Sequence, residues 1–177
     1  MNTLEHADGV APDLVVALVG FRQWRLTPDG LTSMYDGTPW PGGMLTARCD
    51  RGHSDEEVPV KECSCGVYAY YDPCPRTAST GTPDLIGGAV VVWGRIEAHI
   101  YGMRGKHARI VALELPLSRG RKRRAVTEQA ERLGVPAVPH RSLKARALEH
   151  GEVLDRALRP KKTLTRGANV WARNAPA

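Results

Sequence analysis

The stretch that decides the fold runs from residue 90 to residue 115 and reads V90-V-V-W-G-R-I-E-A-H-I-Y-G-M-R-G-K-H-A-R-I-V-A-L-E-L115. In its first half, apolar residues occupy most even positions from Val90 to Ile100, and Arg95, Glu97 and His99 alternate with them. A period of two is typical of a strand with one buried face. After G102-M-R-G105 the chain is again aliphatic and β-branched up to Leu115. The stretch therefore predicts a β-hairpin.

Three further segments towards the N-terminus also predict strands. Residues 15–26 and 31–35 are strand-like, and T27-P-D-G30 between them suits a type I turn. A short strand is expected over M44-L-T-A-R-C49. Because no helical pattern precedes residue 118, about five to seven strands are expected to form a small antiparallel β barrel or sandwich.

Beyond Pro116 the pattern becomes helical. Residues 118–134 and 141–151 each place apolar side chains on one face and end on glycine, and V-P-A-V-P separates them from 135 to 139. The sequence thus predicts an α+β protein: a flexible N-terminus over residues 1–12, a β-rich domain over 13–117, and a basic helical extension with a terminal arm over 118–177.

The charge of the chain is unevenly distributed. Residues 116–177 carry fifteen Lys and Arg against five Asp and Glu, a net charge of +10, whereas residues 1–115 carry ten against fourteen, a net charge of −4. A basic segment on a neutral or acidic folded unit is typical of proteins that contact nucleic acid, an anionic surface or an acidic protein.

The strongest basic run is R119-G-R-K-R-R124, with a second patch after residue 158. Such residues bind phosphates by releasing condensed counterions, and they predict contact with DNA or RNA. A solvated linker followed by a solvated helix face is the alternative. The residues predicted to contact nucleic acid are Arg119, Arg121, Lys122, Arg123, Arg124, Lys161, Lys162 and Arg166.

Four residues between the first hairpin and the second have the inventory of a zinc site. Cys49, His53, Cys63 and Cys65 offer three sulfurs and one nitrogen, the donors that tetrahedral Zn²⁺ takes in structural sites. The C63-S-C65 spacing is tighter than the usual C-x2-C and requires a sharp turn, which Gly66 permits. Four protein ligands would close the site, so the zinc is expected to be structural.

Other interpretations of the cysteines stay open. Cys63 and Cys65 share a face if they lie on a strand, and both would then be small buried residues without a metal. Cys74 can replace His53 to give four thiolates, although its place between two prolines favours a free thiol. If His53 is not a ligand, three thiolates and a water would form an open hydrolytic site with Glu56 or Glu57 as base.

The two histidines of the hairpin are candidates for catalytic residues. With the turn centred between Met103 and Arg104, His99 would lie opposite Ala108, and His107 opposite Ile100, on opposite faces. Glu97 and His99 would then share an exposed face. No serine-hydrolase elbow, P-loop or dinucleotide fingerprint occurs in the chain, so we expect a protein that is not an enzyme.

Several of these motifs together resemble those of a known family. The segments are W40-P-G-G43, A47-R-C49, His53, C63-S-C-G-V-Y-A69, V92-W-G-R95 and G102-M-R104. They are similar to a family of small uncharacterised proteins of actinobacteria and their phages, with a Cys, a His, a C-x-C-G-[IV]-Y-A box, then W-G and G-x-R. The resemblance covers roughly residues 20–115, supports zinc binding and implies no established activity. Members of the family have a Pro soon after the His, whereas in this chain D55-E-E-V58 precedes the corresponding Pro59 and lengthens the loop.

The remaining features bear on where the protein acts. The N-terminus lacks a basic segment followed by an apolar one, and no apolar run approaches the roughly 20 residues of a membrane span. We therefore expect a cytoplasmic protein without a membrane partner. It is expected to bind nucleic acid without catalysing a reaction. The alternatives are a phage or mobile-element factor that binds an acidic host protein and, last, a zinc-dependent hydrolase.

Overall fold

The computed structural model describes residues 10–73, 84–117 and 119–161, with the backbone alone for residues 10–15. Within these ranges the strands and helices follow in the order β1 (Val10–Thr27), β2 (Gly30–Ser33), β3 (Met44–Thr46), β4 (Val67–Tyr70), β5 (Leu85–Ala98), β6 (Gly102–Leu115), α1 (Arg121–Leu133), β7 (Ala137–Pro139) and α2 (His140–Ala147). Short 3₁₀ turns cover Pro41–Gly43 and Arg156–Leu158. The prediction of an α+β protein is confirmed.

The hairpin predicted over residues 90–115 is formed by β5 and β6, which pair from Gly88 with Leu113 to Ala98 with Met103. The expected register was wrong, because Glu97 lies opposite Arg104 and the connection covers residues 99–101. A bulge between Trp93 and Ile96 shifts the pairing once more. Its centre, Gly94, has a φ of +78°, a conformation that glycine adopts readily.

The two long strands of the hairpin organise the sheet. The edge of β5 that faces away from β6 pairs with β1. The edge of β6 that faces away from β5 pairs with β4, β3 and β7 in succession. All of these pairs are antiparallel except the one between β6 and β7, which is parallel. Residues 135–139 were expected only to interrupt the helices, yet Ala137–Pro139 form this parallel strand.

The described strands form one seven-stranded sheet, so the prediction of a closed barrel or a two-sheet sandwich was wrong. The sheet curls far enough for β4 to reach β1, but the ladder between the two strands has a single pair, Phe21 with Tyr70. The strands β3, β4 and β7, which lie along one edge of β6, have three or four residues each, and a barrel would require a continuous ladder there.

Each face of the sheet carries its own apolar cluster and its own helix. The first, which we call the α1-side cluster, includes Trp24, Val92 and Ile110 and takes Val126 from α1. The second, the α2-side cluster, includes Phe21 and Val91 and takes Leu143 and Ala147 from α2. Because neighbouring residues of a strand point to opposite faces, Val91 and Val92 serve different clusters. Both helices therefore complete the core of the β unit.

The ends of the predicted segments differ from the structure in places. β1 begins at Val10, which pairs with Glu97, and residues 1–9 of the N-terminal segment expected to be flexible lie outside the described part. Of the basic extension, residues 162–177 also lie outside it. No helix in the described ranges is long and apolar enough to cross a membrane.

Packing of α2 on the sheet predicts the effect of shortening one side chain. Leu143 is 1% exposed in the α2-side cluster, and we expect Leu143→Ala to lower the free energy of unfolding by about 2–5 kcal/mol through the cavity it leaves. Urea denaturation would measure this, and the transition should stay single. Leu148→Ala is the control, because Leu148 is 46% exposed and should change stability little. Equal decreases from the two substitutions would contradict the packing of α2.

Candidate metal centre

The first two candidate ligands lie on a turn that follows β3. After Thr46 the chain stays beside β6, where Ala47 donates its N–H to the Lys106 carbonyl at 2.8 Å. Gly52 then donates its N–H to the Cys49 carbonyl at 3.2 Å, which closes a turn and brings His53 back beside Cys49. Strand β3 thus fixes the position of Cys49, and the turn fixes that of His53.

The other two ligands lie on a second turn, immediately before β4. Cys63 donates its N–H to the Val60 carbonyl at 3.1 Å, and Val60 donates its own N–H to the Cys65 sulfur at 3.3 Å. Gly66 has a φ of +116°, and a Cβ there would lie 3.1 Å from the Cβ of Arg104. The close C-x-C spacing works because the chain reverses here and a glycine leaves room for it.

The four ligand atoms meet at one point. Cys49 Sγ lies 3.1 Å from His53 Nδ1 and 3.7 Å from Cys63 Sγ, and all ligand atoms of Cys49, His53, Cys63 and Cys65 lie within 4.8 Å of one another. Zn–S bonds of about 2.3 Å in a tetrahedron place two sulfurs about 3.7 Å apart. The cysteines are free thiols, because a disulfide requires an S–S distance of about 2.05 Å. The predicted set is therefore assembled and can hold a metal ion.

Hydrogen bonds to the sulfur atoms shift the pKa values of the thiols. Burial raises the pKa of Cys49. The backbone N–H groups of Arg51 and His53, together with the His53 ring, lower this pKa by more than burial raises it, so the net shift is downward. The pKa of Cys63 is lowered mainly by the backbone N–H of Cys65. Burial raises the pKa of Cys65 itself. In two of the three thiols the pKa is therefore shifted towards the thiolate, the form that binds metals.

The acidic residues of the loop do not join the ligands. Asp55 lies 3.6 Å from Lys106 Nζ and is largely exposed, and Glu57 accepts bonds from the Ser54 N–H and hydroxyl at 3.2 and 2.9 Å. The bonds from Ser54 hold the pKa of Glu57 below its usual value, so this carboxylate stays ionised. These residues surround the site with negative charge, which favours a cation.

A buried arginine, the last residue of the G102-M-R104 motif, holds the second turn, a role that the sequence did not predict. Arg104 of β6 is 2% exposed, and its guanidinium donates to the carbonyls of Val60 at 3.2 Å, Cys65 at 2.8 Å, and Cys63. The planar fork of Arg can reach several acceptors at once, which the single ammonium of Lys cannot. Arg104 therefore fixes the backbone that presents two of the ligands.

The charge of Arg104 is balanced by Glu97, which lies directly opposite on β5 and accepts a bond from the guanidinium. The Nε of Arg104 also donates to His99 Nε2 at 3.1 Å, and the Tyr68 ring centroid lies 5.5 Å from the guanidinium. Burial is the main cause that lowers the pKa of His99, and the positive charge of Arg104 adds to it. Glu97 and His99 were expected on an exposed face, whereas here they are half-buried supports of Arg104.

The sequence contained a signal for the pairing of Arg104 with Glu97, but it could be recognised only with the correct register of the hairpin. Arg104 stands inside an apolar strand, and its partner Glu97 lies one residue before the end of β5. The expected register placed Arg104 in the turn itself, next to Met103, and therefore did not bring it opposite Glu97. His107, by contrast, bonds Thr46 and stacks on Trp93, so the two histidines do not share a site, as the sequence suggested.

The predicted nucleic-acid residues lie apart from this centre in the chain. Arg121, Lys122, Arg123 and Arg124 form the first turn of α1, and Arg119 precedes it. All but Lys122 are exposed, and so is Lys161. Lys162 and Arg166, like the possible fourth thiol Cys74, lie outside the described residues.

Comparison with known proteins adds no relative: no family model, no curated protein and no solved structure matches the chain.

The assembled ligands predict that the protein binds one metal ion per chain. Loading with Co²⁺ should produce a thiolate-to-cobalt charge-transfer band, and zinc should displace it. Cys65→Ser should weaken the band and lower the affinity for cobalt, because it removes one of the three thiolates. The control is Cys74→Ser, which should leave the band intact. A band of unchanged intensity in Cys65→Ser, or a weaker band in Cys74→Ser, would contradict the ligand set.

The contacts of Arg104 predict that it controls metal affinity without touching the metal. We expect Arg104→Lys to weaken zinc binding by about 10–100-fold, as removal of groups that orient metal ligands commonly does. Competition with a chromophoric chelator would measure it. Arg25→Lys is the matched control, because Arg25 forms an exposed ion pair with Asp84 and should leave the affinity unchanged. Wild-type affinity in Arg104→Lys would exclude this role.

Proposed function

We propose that the protein is a non-enzymatic nucleic-acid-binding protein whose β unit is stabilised by a structural zinc ion. The observation that carries the proposal is the run of four cations in the first turn of α1, with no acidic residue among them. The anchoring of this helix and the chemistry of the metal ligands add further support.

The position of these cations opposes the stability of the helix. The N-terminus of a helix carries a partial positive charge, so each exposed cation there is disfavoured, and acidic side chains are the favourable choice. The cap residue Gly120 provides no side-chain hydrogen bond to offset this. Within the run, the side chains of Arg121 and Arg124 make no hydrogen bond or ion pair with described residues. An anionic partner would satisfy both the helix end and the side chains.

The opposite face of α1 is buried in the sheet. Val126 and Ala130 are 0% and 2% exposed in the α1-side cluster. The arginines are thus attached to a helix that the core holds in place. Such anchoring reduces the conformational entropy that a flexible basic segment would lose on binding a phosphate backbone.

The metal fits a structural role better than a catalytic one. Four ligands close a tetrahedral site, whereas a hydrolytic zinc keeps a position for water. The segment between β3 and β4, residues 47–66, has no helix or strand. A zinc ion bound at both ends of this segment would therefore cross-link it. Zinc is the metal we propose, because three thiolates and one imidazole suit it well.

Removal of two of the cations should weaken binding to nucleic acid. We expect Arg121→Gln/Arg124→Gln to lower the affinity for a generic oligonucleotide and to make the slope of log affinity against log salt shallower by about 0.7–0.9 for each phosphate that is no longer neutralised. Fluorescence anisotropy at several salt concentrations measures both. The full chain is used, because truncation at Pro116 would remove the buried Val126 and Leu143.

The matched control is Arg141→Gln/Arg156→Gln, which removes the same charge from two exposed arginines elsewhere. Its effect should be clearly smaller. Equal decreases in affinity would mean diffuse attraction and would refute the assignment to α1. If the wild-type chain binds no oligonucleotide at low salt but retains an acidic protein after nuclease treatment, the partner is a protein and the proposal fails.

A further inference from the structure

One face of the sheet extends beyond the part that α2 covers. On the α2 side, Val91 of β5 belongs to the same apolar cluster as Leu143 and Ala147 of α2. Two residues further along β5 lies Trp93, which is only partly buried. Strands β5, β6 and β3 are neighbours here, because Trp93 lies opposite His107 and His107 lies opposite Thr46.

Trp93 and His107 form a stacked pair on this face. Their ring centroids are 5.5 Å apart and their planes differ by 22°. The hydroxyl of Thr46 lies 3.0 Å from His107 Nδ1 and fixes the orientation of the imidazole. Both residues retain part of their surface towards solvent. The sheet and the contact with Thr46 therefore hold the two rings in one fixed stack.

Two arginines flank the stacked pair. Arg109 stands on β6 two residues after His107, so strand alternation places it on the face of the aromatic pair. Arg48 follows the end of β3, and the buried Ala47 separates it from the exposed Thr46, which indicates the same side for Arg48. Both are exposed, and neither side chain makes a hydrogen bond or ion pair with any residue that the structure describes. No described element covers this part of the sheet, since Met44, Thr46, Arg48 and Arg109 are all exposed.

We propose that this face, defined by Trp93, His107, Arg48 and Arg109, binds single-stranded nucleic acid. The proposal rests on the nucleic-acid binding proposed above and names the form of nucleic acid and a second contact surface. A base can stack on the aromatic pair while the arginines contact the phosphates on either side. A duplex hides the faces of its bases, so the stacking contact selects a single strand.

The charges around this face favour a nucleic acid over an acidic protein. An acidic peptide would use the arginines but would leave the stacked rings without a planar partner, whereas a nucleotide offers both a planar base and a phosphate. Two acids of the neighbouring metal loop, Asp55 and Glu57, are engaged by Lys106 and Ser54. The two flanking arginines therefore face solvent without a carboxylate partner among the described residues.

This surface is distinct from the first turn of α1. Helix α1 contributes to the α1-side cluster, and the stacked pair lies on the face that α2 occupies. Substitutions at the two places therefore report on different contacts. A flexible single strand can follow the protein from one face to the other, whereas a rigid duplex would contact one of them at a time.

The test uses the full-length, zinc-loaded chain with fluorescent oligo(dT), oligo(U) and a DNA duplex of equal length. Trp93→Leu keeps an apolar side chain but removes the stacking surface, and should weaken binding of the single strands about tenfold while leaving the duplex unaffected. Arg109→Gln should weaken single-strand binding and make its salt slope shallower by about 0.7. Comparison of oligo(dT) with oligo(U) distinguishes DNA from RNA. Arg141→Gln is the control for the removal of one exposed arginine.

The outcomes distinguish this surface from the first turn of α1. Wild-type binding of single strands by both Trp93→Leu and Arg109→Gln, with weaker binding by Arg121→Gln/Arg124→Gln, would overturn the surface and retain the function. Equal weakening of single strands and duplex would overturn the preference for single strands. Absence of any binding by the wild-type chain would overturn both. Since the Arg109 side chain is exposed, Arg109→Gln decides the matter even if Trp93→Leu fails to fold.

Discussion

The buried guanidinium of Arg104 is the interaction on which the candidate metal centre depends. It joins strand β6 to the carbonyls of Val60, Cys63 and Cys65, and Glu97 across the hairpin neutralises it. An arginine in this position is stable only when its donors are satisfied, because an unpaired buried charge costs several kcal/mol. The irregular loop supplies those acceptors. The sheet and the loop therefore fix one another, and Arg104 holds the turn that carries two of the ligands.

The rest of the fold follows from the long hairpin that carries Arg104. Strand β6 has two edges and two faces, and each is used: β5 and the short strands lie along its edges, and the clusters of α1 and α2 cover its faces. This explains how so short a chain presents distinct surfaces. The metal loop, the basic start of α1 and the stacked pair of Trp93 and His107 are all attached to elements that pack on this one strand.

Much of this was readable in the sequence because the signals were local. Alternation predicted the hairpin, the glycine after Leu133 marked the end of α1, and the side-chain inventory named Cys49, His53, Cys63 and Cys65. Arg104 was missed because its role requires the register, and the register was shifted by a three-residue connection and a bulge at Gly94. Strand β7 was missed because three residues beside two prolines carry no periodicity, and its partner lies on a strand that α1 separates from it in the chain.

The sequence by itself determined the long strands and both helices, which four side chains suit a metal, and where the positive charge lies, since these depend on periodicity, donor chemistry and composition. Only the tertiary structure decided that the sheet stays open, that the helices cover opposite faces, and that Arg104, Glu97 and His99 support the metal loop. The physical reason is that a strand's partners, and the face each side chain occupies, are set by pairing and packing over long separations. A shift of one residue in register reverses those faces without changing the local pattern.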